Sequence, residues 1–368
     1  MITRLYFKNF RSLNEEALCF ENQVVFFTGK NNQGKTSILE SLYILGSGSY
    51  LIEKESDHFI NTLKDQALIA CEWKEKEIEH QLYLRFEKKN KVNVTFDKKI
   101  IKKKNILKRF LCIQYLSAEI NQAFQGSPNQ RRQFFNHFFS AFDPDYSNLL
   151  KIYTQYLIKK NKLLKKENID KNSYEFLNQQ LIKTAVDLVE KRISLLVKFQ
   201  NYFKNKKDYL ICNHFDSISF TYQCSRLEPF KYFNRQRYAE ILRNKIKDDE
   251  MKERVLGYAL VGPHKDDYDV IFQNKSLFRF ASRGINRVFA IAMYGETMKW
   301  VSKKNNQKLC LLADDIFSEL DQERQRWVAD YLSNLGQLFL AGVSQQELNL
   351  FSAPQHFEVS NGAISAAT

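Results

Sequence analysis

The segment Gly29-Lys30-Asn31-Asn32-Gln33-Gly34-Lys35-Thr36 constrains this chain more than any other eight residues in it. It follows Val24-Val25-Phe26-Phe27, a continuous apolar run suited to a buried strand, within a strand expected over 23–28. It precedes Ile38, Leu39, Leu42, Tyr43 and Leu45, which recur at helical spacing over 35–45. Strand, glycine-bearing loop and helix in that order make a phosphate-binding loop. Gly29 and Gly34 let the backbone turn tightly, so that successive N–H groups can surround phosphate oxygens. Lys35 is placed to reach the outer phosphates and the Thr36 hydroxyl to coordinate Mg²⁺, while the helix points its positive end at the anion. The expected ligand is ATP, held by all eight residues from Gly29 to Thr36.

A second motif complements the loop. Leu309-Cys310-Leu311-Leu312-Ala313 is an apolar strand that ends in Asp314-Asp315. One carboxylate at that edge can serve the Mg²⁺ and the other the attacking water, so Asp314 is assigned to the metal and Asp315 to catalysis. The bland reading is a pair of acids capping the next helix. That helix starts near 321, and either Ser318 or Asp321 could cap it. A third element, Ser282-Arg283-Gly284-Ile285-Asn286-Arg287, opens a helix near 284–302, where a hydroxyl, a glycine and a helix N-terminus suit another anion contact. By itself it reads equally well as a simple cap.

Around these motifs the pattern changes twice. Residues 2–7 read as a strand and 66–73, 77–86 and 91–96 as a β-meander. From about 118 to 210 the chain is helical in pattern. After about 255, strands near 268–272, 308–313 and 336–342 alternate with helices near 284–302 and 321–333, the arrangement of a mainly parallel sheet. The expectation is an α/β head built from residues 1–115 and 255–368, interrupted by a mainly helical lobe over 116–254.

The 368 residues carry a net charge of +14 and a pI near 9.3, which points to a polyanionic partner, although surplus lysine can serve solubility alone. Residues 88–109 hold ten Lys or Arg against one acid, Asp97, and Lys159, Lys160, Lys162, Lys165 and Lys166 form a second cluster. Either cluster could contact nucleic-acid phosphates. The six cysteines are scattered without a CxxC pair, which argues against a disulfide framework or zinc site. The sequence lacks a run of about 18 apolar residues and an apolar leader, so a cytoplasmic protein without a membrane partner is expected.

Five stretches together resemble the RecF family of ABC/SMC-like ATPases: Asn9-Phe10-Arg11; the loop with Ser37-Ile38-Leu39-Glu40; Gly126-Ser127-Pro128 with Arg131-Arg132; Gly262-Pro263-His264-Lys265-Asp266-Asp267; and Ala313 to Asp321. They span nearly the whole chain, and the GPHKDD block is specific to that family. The resemblance implies an ABC-type ATPase head with a mixed sheet and an inserted helical lobe. It implies a weak, DNA-stimulated ATPase in replication and recombinational repair that binds single-stranded and gapped or junction DNA and works with RecR and RecO to load RecA. It also implies an ATP-driven homodimer in which Ser282 and Gly284 of one subunit face the γ-phosphate held by the other, Asp321 lies at the subunit contact and Arg11 bonds to phosphate. The expected location is the cytoplasm, on the nucleoid.

The chain departs from the family pattern at Ile285-Asn286, where glutamines are usual, at Gly48-Ser49-Tyr50-Leu51, where arginines are usual, and at Ser117-Ala118-Glu119, where Pro-Glu-Asp is usual. Alternatives are the ATPase subunit of an ABC transporter, a nuclease of the overcoming-lysogenisation type, which would need a further acidic domain, and a degenerate ATP binder without useful turnover.

Overall fold

The computed structural model describes residues 1–48, 55–75, 78–101, 111–120, 122–204, 218–224, 233–272 and 274–367. By its internal contacts the chain divides into two compact units, Met1–Ile120 with Ile291–Thr368, and Asn121–Ala290. The first part of the head unit contributes β1 (Ile2–Lys8), β2 (Glu16–Cys19), β3 (Val24–Thr28), α1 (Lys35–Ser47), β4 (Gln66–Glu75), β5 (Ile78–Glu87), β6 (Lys91–Phe96), β7 (Lys99–Ile101) and β8 (Leu111–Ser117). The inserted unit follows with α2 (Gln122–Gln125), α3 (Pro128–Phe142), α4 (Pro144–Leu164), α5 (Lys171–Lys204), β9 (Ser219–Gln223), α6 (Arg235–Asp248), α7 (Glu250–Leu256), β10 (Asp267–Phe272), β11 (Lys275–Ser276) and α8 (Leu277–Phe280). After α9 (Arg283–Asn305) come β12 (Lys308–Asp314), α10 (Gln322–Ser333), β13 (Gln337–Gly342), α11 (Gln345–Leu348), β14 (Gln355–Ser360) and β15 (Ala363–Ala366).

Two sheets make the head. An antiparallel sheet runs β2-β1-β4-β5-β6-β7, and a second runs β15-β14-β3-β13-β12-β8, parallel from β14 to β8. Helix α1 packs against strands of both. Its Ile38, Leu39, Leu42 and Leu45 share one buried cluster with Leu5, Phe7, Ile69 and Leu84 of the antiparallel sheet and Val25, Phe27, Leu312 and Phe339 of the parallel one. The unbroken apolar run of β3 has its cause here: Val25 and Phe27 enter that cluster, while Phe26 packs on the Phe351 ring. Gln337 joins the sheets through polar atoms, accepting from the Ile2 N–H at 2.7 Å and donating to the Ile2 carbonyl at 2.8 Å. Buried among apolar groups, that side chain behaves as a ladder residue for β1.

The inserted unit combines an aromatic core with a buried polar network. Phe135 stacks on Tyr268, and Phe138 and Phe220 meet the Phe199 ring of α5. Arg192, 2% exposed, donates to the hydroxyl of Tyr146 at 3.1 Å, the Pro263 carbonyl at 2.8 Å and Asn136 Oδ1 at 3.0 Å. Arg131 grips Asp267 with two bonds of 2.8 and 2.7 Å, and Arg132 donates to the Asp266 carbonyl. The Arg131-Arg132 pair and the GPHKDD block therefore meet inside one unit. Strand β10, which the sequence pattern places with the head, pairs antiparallel with β9, and residues up to Ala290 pack with the inserted unit.

The lysine cluster at 159–166 is not all surface. The Lys160 ammonium lies 2.6 Å from Glu253, with side chains 1% and 0% exposed, and over the Tyr174 ring at 5.3 Å. Burial lowers the pKa of Lys160 against the opposing pull of Glu253. Removing one partner leaves the other charge buried without its ion-pair partner. Lys160→Ala should therefore lower unfolding free energy by about 3–5 kcal/mol in a denaturant titration, whereas the exposed Lys159→Ala should stay within about 0.5 kcal/mol of wild type.

Candidate nucleotide site

The carboxyl ends of the parallel strands set the geometry of the site. Asp314 of β12 lies level with Ser117 of β8 and Ala341 of β13, and Gly342 lies level with Thr28 of β3. The loop that leaves β3 therefore emerges at the same edge as the acids that end β12, with β13 between them. That edge is where open α/β sheets bind their ligands.

The loop is clasped from behind by the β14–β15 turn. Gly362 donates its N–H to the Gln33 carbonyl at 3.1 Å, Asn361 donates to the Gln33 side chain, and the Gly362 carbonyl accepts from Asn14 at 2.9 Å. Gly29, at φ +150°, passes so close that a Cβ on it would stand 2.2 Å from the Val359 carbonyl oxygen. Helix α1 then begins at Lys35 with no side-chain cap and no acid in its first turn, so its N–H groups and positive end are left to the loop. These features fit the triphosphate of ATP.

Lys35 is 7% exposed, and its ammonium arches back over the loop to the carbonyls of Gly29 at 2.6 Å and Lys30 at 2.8 Å. Burial lowers its pKa, and the charges of Asp314, Asp315 and Glu347 oppose that shift. The Thr36 hydroxyl donates to Asp314 Oδ2 at 2.8 Å. A hydroxyl that donates its proton still has lone pairs to offer a cation, so the Thr36–Asp314 pair fits Mg²⁺. The chain leaves the strand at Asp315, which has φ +51° and donates its N–H to the Ala341 carbonyl at 3.1 Å.

Two side chains at this edge carry no sequence motif. Tyr115, from β8, donates its hydroxyl to the same Asp314 Oδ2 at 2.7 Å. Glu347, from α11, has its pKa raised by burial and by the nearby charge of Asp315, with Lys35 opposing. Neither lies in a recognisable pattern, because strand pairing alone brings β8 and the end of β13 beside β12.

Arg11, expected at phosphate, has φ +50°, and its guanidinium lies 2.6 Å from Glu40 of α1 and over the Phe59 ring at 5.3 Å. Glu40 is 2% exposed, so this pair ties the β1–β2 connection to the loop's own helix. Ser282 and Gly284 belong to the inserted unit. Ser282 is exposed at the start of α9 and its carbonyl accepts from the Asn286 N–H at 3.0 Å. Asn286, which stands where a glutamine is usual, is buried and donates to the Ala281 carbonyl at 3.0 Å, whereas Ile285 is 38% exposed. Asp321 caps α10 by accepting from the Arg324 N–H at 2.9 Å, which settles the choice between Ser318 and Asp321.

Among the described residues of the basic stretch 88–109, the lysines do not form one patch. Lys88, Lys89 and Lys91 are exposed at the β5–β6 turn, and Lys98 and Lys99 at the β6–β7 turn. The length of β6 separates them, roughly 20 Å at strand rise. Residues 102–110, with Lys102, Lys103, Lys104, Lys108 and Arg109, lie outside the described residues, as do Ser49, Tyr50 and Leu51.

A phosphate loop over a parallel sheet, an acid-ended strand two places away and an inserted helical unit define an ATPase head of the ABC/SMC type. The family profile described as RecF/RecN/SMC N terminal domain matches residues 1–363, and the chain belongs to that family. It is 27% identical over 380 residues to the DNA replication and repair protein RecF of Halothermothrix orenii, covering 99% of this chain and 98% of the relative. It is 28% identical over 377 residues to the protein of the same name from Clostridium acetobutylicum, covering 99% of each. Among solved structures, the recombination mediator protein RecF-ATPrS in the RecFOR pathway matches with a TM-score of 0.84 at 20% identity, covering 100% of this chain and 98% of that one. An Smc head bound to the C-winged helix domain of ScpA matches with a TM-score of 0.54 at 14% identity, covering 100% and 96%. The fold is that of RecF and the SMC heads.

Gly362 tests the clasp. It has φ +79°, and a Cβ on it would stand 2.1 Å from the Ser12 carbonyl oxygen. Gly362→Ala should cost about 1–3 kcal/mol of stability, seen as a lower thermal midpoint, and should weaken ATP binding through the displaced loop.

Proposed function

We propose that this protein is a RecF-type ATPase of DNA replication and recombinational repair that uses ATP to pair two copies on DNA. The observation that carries the reading is the Thr36–Asp314 hydrogen bond beside a loop whose helix starts with no side-chain cap and no acid in its first turn. Curated RecF relatives that span 99% of the chain support it and leave no place for a transporter subunit. Among the described residues no helix is long and apolar enough to cross a membrane.

In this reading the backbone from Gly29 to Gly34 cradles the phosphates, and Lys35 exchanges its loop carbonyls for the outer phosphate oxygens. Thr36 and Asp314 hold Mg²⁺, which when bound neutralises charge on the β- and γ-phosphates. Asp315 orients the attacking water and takes up its proton. Arg11, held by Glu40 on α1, stands ready to add a charge-assisted bond to phosphate. Ser282 and Gly284, at the exposed start of α9, complete the site of a second subunit, so hydrolysis ends the pairing. The hydrolysis is weak and DNA-stimulated. The exposed lysines at the β5–β6 and β6–β7 turns, with Lys159, Lys162, Lys165 and Lys166, supply candidate phosphate contacts to single-stranded and gapped or junction DNA. RecR and RecO are the expected protein partners, and the cytoplasm, at the nucleoid, is the expected location.

Sedimentation with and without ATP and gapped DNA tests the whole reading. Wild type should pair only with ATP; Ser282→Ala should bind ATP yet sediment as a monomer, and pairing unchanged by that substitution would remove Ser282 from the contact. Lys35→Ala should weaken ATP binding by more than about tenfold. Asp315→Asn should keep binding but slow turnover by about 10²–10⁴-fold and prolong the paired state. DNA affinity should fall steeply between low and high salt, and a flat response would count against the lysine contacts.

A further inference from the structure

Asp314 is held by two hydroxyl groups, and only one of them belongs to the phosphate-loop motif. Thr36 donates to Oδ2 at 2.8 Å, and Tyr115 donates to the same oxygen at 2.7 Å. The carboxylate of an aspartate turns readily about its last bond, because that torsion is broad. A single donor from Thr36 would leave Asp314 free to follow that hydroxyl as it moves onto a cation. A second donor on the same oxygen, from Tyr115, restricts this freedom.

The tyrosine is itself well anchored. It sits on β8, which pairs in parallel with β12 so that Tyr115 lies level with Leu312 and Ser117 with Asp314. Its ring packs edge-on against Tyr43 of α1, with centroids 6.2 Å apart and planes at 67°. Strand pairing with β12 and a contact with α1 thus fix the donor.

We propose that Tyr115 is a positioning residue for the Mg²⁺ of the ATP site: by donating to Oδ2 it holds in place the Asp314 carboxylate that would bind the cation. The proposal rests on the reading of Asp314 as the Mg²⁺ carboxylate. A donor on Oδ2 leaves the other oxygen's lone pairs for metal coordination, directly or through water. Tyr115 would therefore act on the cation through Asp314.

The test is a titration of ATP binding against Mg²⁺ for wild type and Tyr115→Phe, using calorimetry with the slowly hydrolysed analogue ATPγS, repeated in EDTA. Tyr115→Phe keeps the ring and its contact with Tyr43 and removes only the hydroxyl. The Mg²⁺ concentration at half-saturation should rise roughly tenfold, the size of one lost hydrogen bond to a charged group, while the metal-free affinity stays unchanged. An unchanged Mg²⁺ midpoint, or an equal loss of affinity with and without metal, would overturn the proposal. Thr36→Val run in parallel separates the two ideas. If Thr36→Val abolishes the Mg²⁺ dependence but Tyr115→Phe leaves it intact, the Mg²⁺ site stands and the role of Tyr115 falls. If wild type itself binds ATPγS with no dependence on Mg²⁺, the reading of Asp314 fails and this inference with it. Thermal midpoints of both variants within a few degrees of wild type confirm that the shift is not loss of fold.

Discussion

The hydrogen bond from Thr36 to Asp314 joins residues 278 apart in sequence, and the rest of the head is arranged so that it can form. Thr36 comes directly after a strand–loop–helix turn, and Asp314 ends a strand that the chain reaches only after the inserted unit. The bond requires β3 and β12 to lie on either side of β13, parallel and in a register that ends them at one edge. A slip of one residue along β12 would turn Asp314 to the other face of the sheet and replace it with Ala313 or Asp315. Burial of Cys310 and Leu312 in the layer beneath α1 opposes that slip. The core therefore acts on the site through register.

The loop itself depends on close backbone approach more than on side chains. Its rear surface meets the β14–β15 turn through carbonyl and N–H groups, and its front is closed by the loop's own lysine. The β14–β15 hairpin carries no motif, yet its turn holds the loop from behind. Backbone groups buried in this way must be paired, and here each strand end supplies a partner for the next.

The inserted unit follows the same logic with charged groups. Arg192, Arg131, Arg132, Asp266 and Asp267 are drawn together from α3, α5 and the GPHKDD block, and in the same unit Lys160 pairs with Glu253, both buried. In a low-dielectric interior such a network is costly unless complete, which couples several helices to one short segment. The GPHKDD block that marks the family is thus an internal organiser of this unit. The basic clusters need the same discrimination, since one lysine in five at 159–166 is interior and the 88–99 lysines are split between two turns.

What the amino-acid order determined by itself is whatever depends on neighbours in the chain. The phosphate loop, the apolar run of β3, the helical face of α1, the meander and the acid-ended β12 all follow from spacing and side-chain type over a few residues, and the structure places them as that spacing requires. Tertiary structure decided what depends on residues brought together across the sheets. Tyr115 meets Asp314 because β8 pairs with β12, Glu347 approaches Asp315 and Lys35 because α11 follows β13, and Arg11 lies against Glu40 because α1 packs beneath the β1–β2 connection. Local chemistry can be read along the chain because its range is a turn or a strand; the carboxylate's second donor comes from 199 residues away, and only the pairing of strands carries that distance.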